Sequence, residues 1–127
     1  ALAKRLAGSG RTANAVHPGA IGTTDLGRYL EPADIAELMR RTHFSERIPF
    51  KSMEAGAATS VWAAVAPELA GRGGLYLEDC HVAAVSDDRH NGQDGYRRYA
   101  TDPAAARRLW ALSEQLVGEH FTWGGDD

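Results

Sequence analysis

The chain has 127 residues, 43% of them hydrophobic and 24% charged, with a net charge of -3 from 14 basic and 17 acidic side chains. That composition suits one modest globular domain and gives no footing for a nucleic-acid or anionic-membrane partner. A single cysteine, Cys80, excludes an internal disulfide and suits a reducing, cytoplasmic setting, and no apolar run reaches membrane-spanning length.

Ala1 to Ala7 reads as a helix, with Lys4 and Arg5 at the negative end of its dipole and Gly8 as its C-cap. It has a stop signal and no start signal, so its beginning is expected upstream. Thr12 to Val16 reads as a buried strand running into the turn His17-Pro18-Gly19. Residues 24 to 50 form a long connection with a helix inside it. Pro32 suits the first position of that helix, and Ile35, Leu38 and Met39 give it one apolar stripe.

Ser52 caps the next helix, Glu54 lies in its first turn, and the helix runs through Val61, Trp62 and Val65 to stop near Pro67. Its many alanines allow close packing on a sheet or on another subunit. Leu75 to Cys80 reads as a second strand, with room to continue from His81 to Val85, and Ser86 to Gly95 reads as loop. Asp102-Pro103 caps and opens the last helix, Leu109, Leu112, Leu116 and Val117 follow helical spacing, and Gly118 ends it.

Two strands and about four helices in this alternating order predict an α/β fold with parallel strands. Two strands alone make a poor parallel sheet, because faces and edges both need cover. Residues 1 to 127 are therefore expected to be one partial domain that needs its missing half or another chain against it.

The segment Asn14-Ala15-Val16-His17-Pro18-Gly19-Ala20-Ile21-Gly22-Thr23 resembles the Pro-Gly-x-x-x-Thr segment of the short-chain dehydrogenases/reductases. Gly56 to Trp62 and Gly74 to Cys80 resemble the later helix and strand of that family. Leu109 to Glu114 resembles the last helix of its retinol-dehydrogenase-like and WW-domain-oxidoreductase-like branch. The matches come in order from about Ala1 to Val117. The resemblance implies the C-terminal half of a Rossmann-type, doubly wound parallel sheet. It also implies an NAD or NADP cofactor, NADP slightly favoured, with Pro18, Gly19, Ile21 and Thr23 on its nicotinamide side.

Physical chemistry supports that placing. Ligands of open parallel sheets bind outside the carboxyl ends of the strands, and Pro18-Gly19 falls where a strand should end. Glycine lets the backbone approach a flat ring, Ile21 offers a backbone N–H, and Thr23 offers an N–H and a hydroxyl. The competing reading is an ordinary strand-end turn.

The family's chemistry needs a tyrosine four residues before a lysine. The residues four after Tyr29, Tyr76, Tyr96 and Tyr99 are Ala33, Cys80, Ala100 and Pro103. No glycine-rich phosphate turn occurs either. The chain thus carries no catalytic residue of its own, and by itself is expected to show no turnover and no tight NAD(P)H binding.

The 24–50 excursion is read as a substrate lid. Leu26, Tyr29, Met39 and Phe44, with Leu30, Ile48 and Phe50, could line a pocket for a small apolar carbonyl or alcohol, or form a small helical core. Cys80 is expected to be a buried structural cysteine, set opposite its neighbour His81 on a strand. His43, His81 and His90 lack metal-ligand spacing, so no metal site is expected.

Two function classes remain. One is the C-terminal part of an NAD(P)-dependent oxidoreductase, a homo-oligomer as in relatives. The other is a non-catalytic fragment that pairs through the 52–66 helix and the 75–80 strand.

Overall fold

A computed structural model describes residues 1–42, 50–87 and 95–122. Among these residues four helices and a three-stranded mixed sheet follow in α/β order. They are α1 (Leu2–Arg5), β1 (Ala15–His17), α2 (Pro32–Thr42), α3 (Met53–Val65), β2 (Tyr76–Glu78), β3 (His81–Val82) and α4 (Pro103–Val117). Short 3-10 turns lie at Asp25–Gly27, Pro67–Leu69 and Arg98–Thr101.

Local signals placed the helix ends. Ser52 Oγ accepts from the Ala55 N–H, and Asp102 accepts from the Ala104 N–H, so each cap satisfies an orphan donor of the first turn. Gly118 ends α4 at φ 69, a left-handed conformation that glycine adopts without a Cβ penalty. α1 is shorter than expected and is capped at Leu6 rather than Gly8.

β1 pairs with β2 in parallel, Ala15 facing Tyr76, Val16 facing Leu77 and His17 facing Glu78. Asn14 fixes this register. Its side-chain amide donates to the Arg72 carbonyl and its oxygen accepts from the Leu75 N–H, tying the start of β1 to the turn before β2.

The second strand does not run on to Val85. Asp79 and Cys80 take φ values of 45 and 57, and the chain turns back so that β3 pairs antiparallel with β2. Positive φ at both central residues is the geometry of a tight hairpin turn. Two predicted strands thus become three, and β2 is the central one, with order β1-β2-β3. Both edges of β2 are taken, which corrects the expectation that the 75–80 strand is free to pair with another chain. The outer edges belong to β1 and β3.

α3 packs across β1 and β2. Leu77 of β2 and Thr59 of α3 are fully buried, and Leu69 and Ala83 are buried too. The Thr59 hydroxyl accepts from the Cys80 N–H, so the helix holds the hairpin turn. Cys80 itself is exposed, contrary to expectation, because the turn carries it out of the sheet. β1 is exposed as well rather than buried.

On the other face, the ring of His17 stacks on Tyr76, Tyr76 meets Tyr96 edge-on, and the buried Glu78 carboxylate accepts from the Gly95 N–H. The Arg5 guanidinium lies over Trp110, linking α1 to α4. Much of the apolar stripe of α4 stays in water, with Leu109 at 65% and Leu116 at 77% exposure. On α3, Val61 and Val65 are exposed too. The described residues therefore bury little apolar surface for their number. Among them, no helix is long and apolar enough to cross a membrane.

Candidate functional site

The carboxyl end of β1 delivers the chain into Pro18 and Gly19, beside the parallel neighbour β2. Gly19 has φ 83. A Cβ built there would lie 2.8 Å from Cδ and Cε of Lys51. The open position at Gly19 is thus taken by the Lys51 stem, whereas sequence reasoning reserved it for a ring.

Ile21 points the other way. A Cβ on the buried Gly56 of α3 would come within 2.6 Å of Ile21 Cγ1 and 2.7 Å of Cδ1. The isoleucine side chain therefore seats on α3, and backbone is what the loop offers outward. Phe50 covers the next residue, with its ring 3.1 Å from where a Cβ on Gly22 would sit.

Among the described residues, the Ile21 N–H, the Thr23 N–H and the Thr23 hydroxyl make no hydrogen bond. The Thr24 hydroxyl, 3.4 Å from the Ile21 carbonyl, folds the loop back on itself. Thr23 is exposed. The loop thus presents three donors near the carboxyl end of a parallel strand, a place where open α/β sheets bind ligands.

The two ends of the excursion are stitched together. The Lys51 N–H donates to the Ala20 carbonyl at 2.8 Å, and Ile21 and Lys51 form a parallel bridge. The Lys51 ammonium then pairs with the Asp79 carboxylate at the hairpin turn. That hydrogen bond holds the Asp79 carboxyl below the usual range, partial burial opposes it, and the charges of Lys51, His81 and His17 add to the lowering.

Of the lid residues, Leu26 and Tyr29 are 89% and 84% exposed and belong to no helical core. Tyr29 lies under the Arg28 guanidinium. Met39 is half-buried on α2. Phe44 and Ile48 lie outside the described residues. A shallow cavity of about 190 Å³ is lined by Ala15, Leu75, Tyr76, Val82, Tyr96 and Ala100, and none of residues 17 to 23 contributes to it. Among the described residues, no group of three or more His, Cys, Asp or Glu is placed to hold a metal.

Sequence reasoning missed Lys51 and Asp79. Their partnership spans 28 residues and depends on strand register. The available signal was compositional, since Lys51 is one of two lysines in the chain.

No family model matches the chain. Individual relatives do. The WW domain-containing oxidoreductase of Danio rerio is 40% identical over 122 residues, covering 95% of this chain and 25% of the relative. Retinol dehydrogenase 14 of Homo sapiens is 34% identical over 118 residues, 92% of this chain and 31% of the relative. A short-chain dehydrogenase/reductase of Penicillium roqueforti is 35% identical over 100 residues, 79% of this chain and 28% of the relative. The chain spans about a quarter to a third of the length of these curated relatives.

Proposed function

Because the chain belongs to the short-chain dehydrogenase/reductase family and matches its C-terminal portion, we propose that it forms the nicotinamide-side wall of an NAD(P)-dependent oxidoreductase. Residues 1 to 127 would be the C-terminal half of a Rossmann-type domain. The observation that carries this reading is the set of donors at Ile21 and Thr23, unengaged among the described residues.

That donor set fits a carboxamide. The Ile21 N–H would donate to its oxygen, and the Thr23 N–H and hydroxyl would serve it or a neighbouring phosphate. Pro18 fixes the direction in which the loop leaves β1. Gly19 allows the left-handed turn and leaves room for Lys51. The cofactor, when bound, supplies the hydride exchanged with a carbonyl or alcohol. The Tyr-Lys pair and the glycine-rich turn would come from outside this chain.

Leu26, Tyr29, Met39 and Phe44 would form the lid over a small apolar substrate. The exposure of Leu26 and Tyr29 favours the lid over a helical core, since both are free to close on a ligand. NADP and a homo-oligomeric assembly are what the resemblance implies, and the single cysteine suits a cytoplasmic setting. The fragment reading keeps one support, the exposed Val61 and Val65 of α3, but loses its strand.

The test is a chimera that joins this chain behind the upstream part of the Danio rerio relative. The expected result is aldehyde-dependent NADPH oxidation by the chimera and none by the 127-residue chain. Thr23→Ala in the chimera should raise the KM for NADPH about tenfold, the loss of the hydroxyl's hydrogen bond, with the backbone N–H retained. A folded chimera that binds neither NADPH nor NADH, or turnover by the 127-residue chain alone, would overturn the reading.

A further inference from the structure

We infer that Lys51 and Asp79 form a charged clasp that fixes the Gly19–Thr23 loop to the base of the 24–50 excursion. They act as positioning residues for the site. Three independent contacts converge on Lys51. Its backbone N–H donates to the Ala20 carbonyl, its methylene stem fills the position a Cβ on Gly19 would take, and its ammonium reaches Asp79 across the end of β2. The Lys51 side chain is only 26% exposed, so this is not a fully solvated surface pair.

The anchor at the far side is firm. Asp79 sits in the left-handed turn whose next N–H is held by the buried Thr59 of α3. A carboxylate on such a turn has little freedom to follow a moving lysine. The clasp therefore transmits the position of the sheet and α3 to the loop that carries the Ile21 and Thr23 donors. It closes the excursion at its base, where Phe50 already covers Gly22.

The function of the clasp rests on the reading that this loop meets a nicotinamide; its existence does not. The first measurement therefore uses the chimera without ligand. Amide hydrogen exchange is followed at Lys51, whose N–H is the backbone stitch, and at amides of α3 and α4 as references. Lys51→Met keeps the stem over Gly19 and removes the charge. Asp79→Asn keeps the shape and tolerates the left-handed turn. Both should speed exchange at Lys51 about fivefold, while α3 and α4 amides stay unchanged. Lys51→Arg should restore the wild-type rate.

Acid should mimic Asp79→Asn. Lowering pH through the depressed titration of Asp79 should raise the Lys51 rate relative to the references, and the Asp79→Asn chimera should show no such rise. His17 of β1, His81 of β3 and Glu78 of β2 lie close to the pair. The titration is therefore repeated with His17→Gln, His81→Gln and Glu78→Gln. If Lys51→Met unfolds, Asp79→Asn carries the test alone.

Unchanged Lys51 exchange in Asp79→Asn, or an equal rise at the α3 and α4 amides, overturns the clasp. In the chimera, the same two substitutions should raise the KM for NADPH about fivefold with kcat within about twofold. Faster exchange without a change in KM leaves the clasp standing and sinks the nicotinamide reading of the loop instead.

Discussion

Replacing Gly56 by alanine tests how the site loop is seated. In an exposed helix interior the change is favourable by about 1 kcal/mol, because alanine is the better helix former. Here a Cβ would fall 2.6 Å from Ile21 Cγ1 and 2.7 Å from Cδ1. Carbon atoms rest at about 3.5–4.0 Å, so roughly 1 Å of overlap must be relieved. Cγ1 is close to the backbone of a β-branched residue and swings poorly. Overpacking of this kind costs about 1–3 kcal/mol.

The contact therefore outweighs propensity, and Gly56→Ala should destabilise the chimera by about 1–2 kcal/mol in urea titration followed by circular dichroism. In an Ile21→Ala background the obstacle is gone, and the same change should stabilise by about 0.5–1 kcal/mol. The double-mutant cycle should return a coupling of about 2 kcal/mol. A Gly56→Ala chimera that gains stability with Ile21 in place would refute the seating of Ile21 on α3.

Two further outcomes follow from contacts around the same turn. Thr59→Val removes the only oxygen that the Cys80 N–H reaches among the described residues. It should cost about 1–3 kcal/mol in thermal unfolding, whereas Thr59→Ser should cost clearly less. The carboxyls of Asp79, Asp87 and Glu114 are all held low, by Lys51, by the Arg98 N–H and by the Phe121 N–H respectively. A depressed folded value gives stability that is present above the unfolded value and lost as pH falls through the folded one. Urea midpoints should fall below about pH 4, and Asp79→Asn should flatten part of that fall; midpoints level from pH 5 to 2 would contradict the assignment.

What was legible in the sequence was local. Ser52, Pro32, Asp102 and Gly118 mark helix ends because caps act within three or four residues of themselves. The parallel order of the two main strands followed from alternation of elements. The hairpin at Asp79-Cys80 was not legible, since neither residue is a glycine. Its left-handed turn is supported by a hydroxyl on α3, 21 residues away. The burial of Cys80 failed for the same reason. The strand end and turn at Pro18-Gly19 could be placed from sequence, but the occupant of the space at Gly19 could not. That depends on how α3 and the end of the excursion return to β1.

The pairing of Ala15 with Tyr76 also sets an order of events. β1 has no strand partner among the described residues until β2 exists, 61 residues later. Closing so long a loop is slow compared with forming α2 or α3, whose hydrogen bonds are local. At about 5–20 residues per second, roughly 3–12 s of synthesis separate the two strands. During that interval Pro18 to Thr23 lacks the β2 neighbour beside which it is shaped. The loop that would meet the nicotinamide acquires its form among the last steps of folding, when β2 docks and Asp79 comes within reach of Lys51.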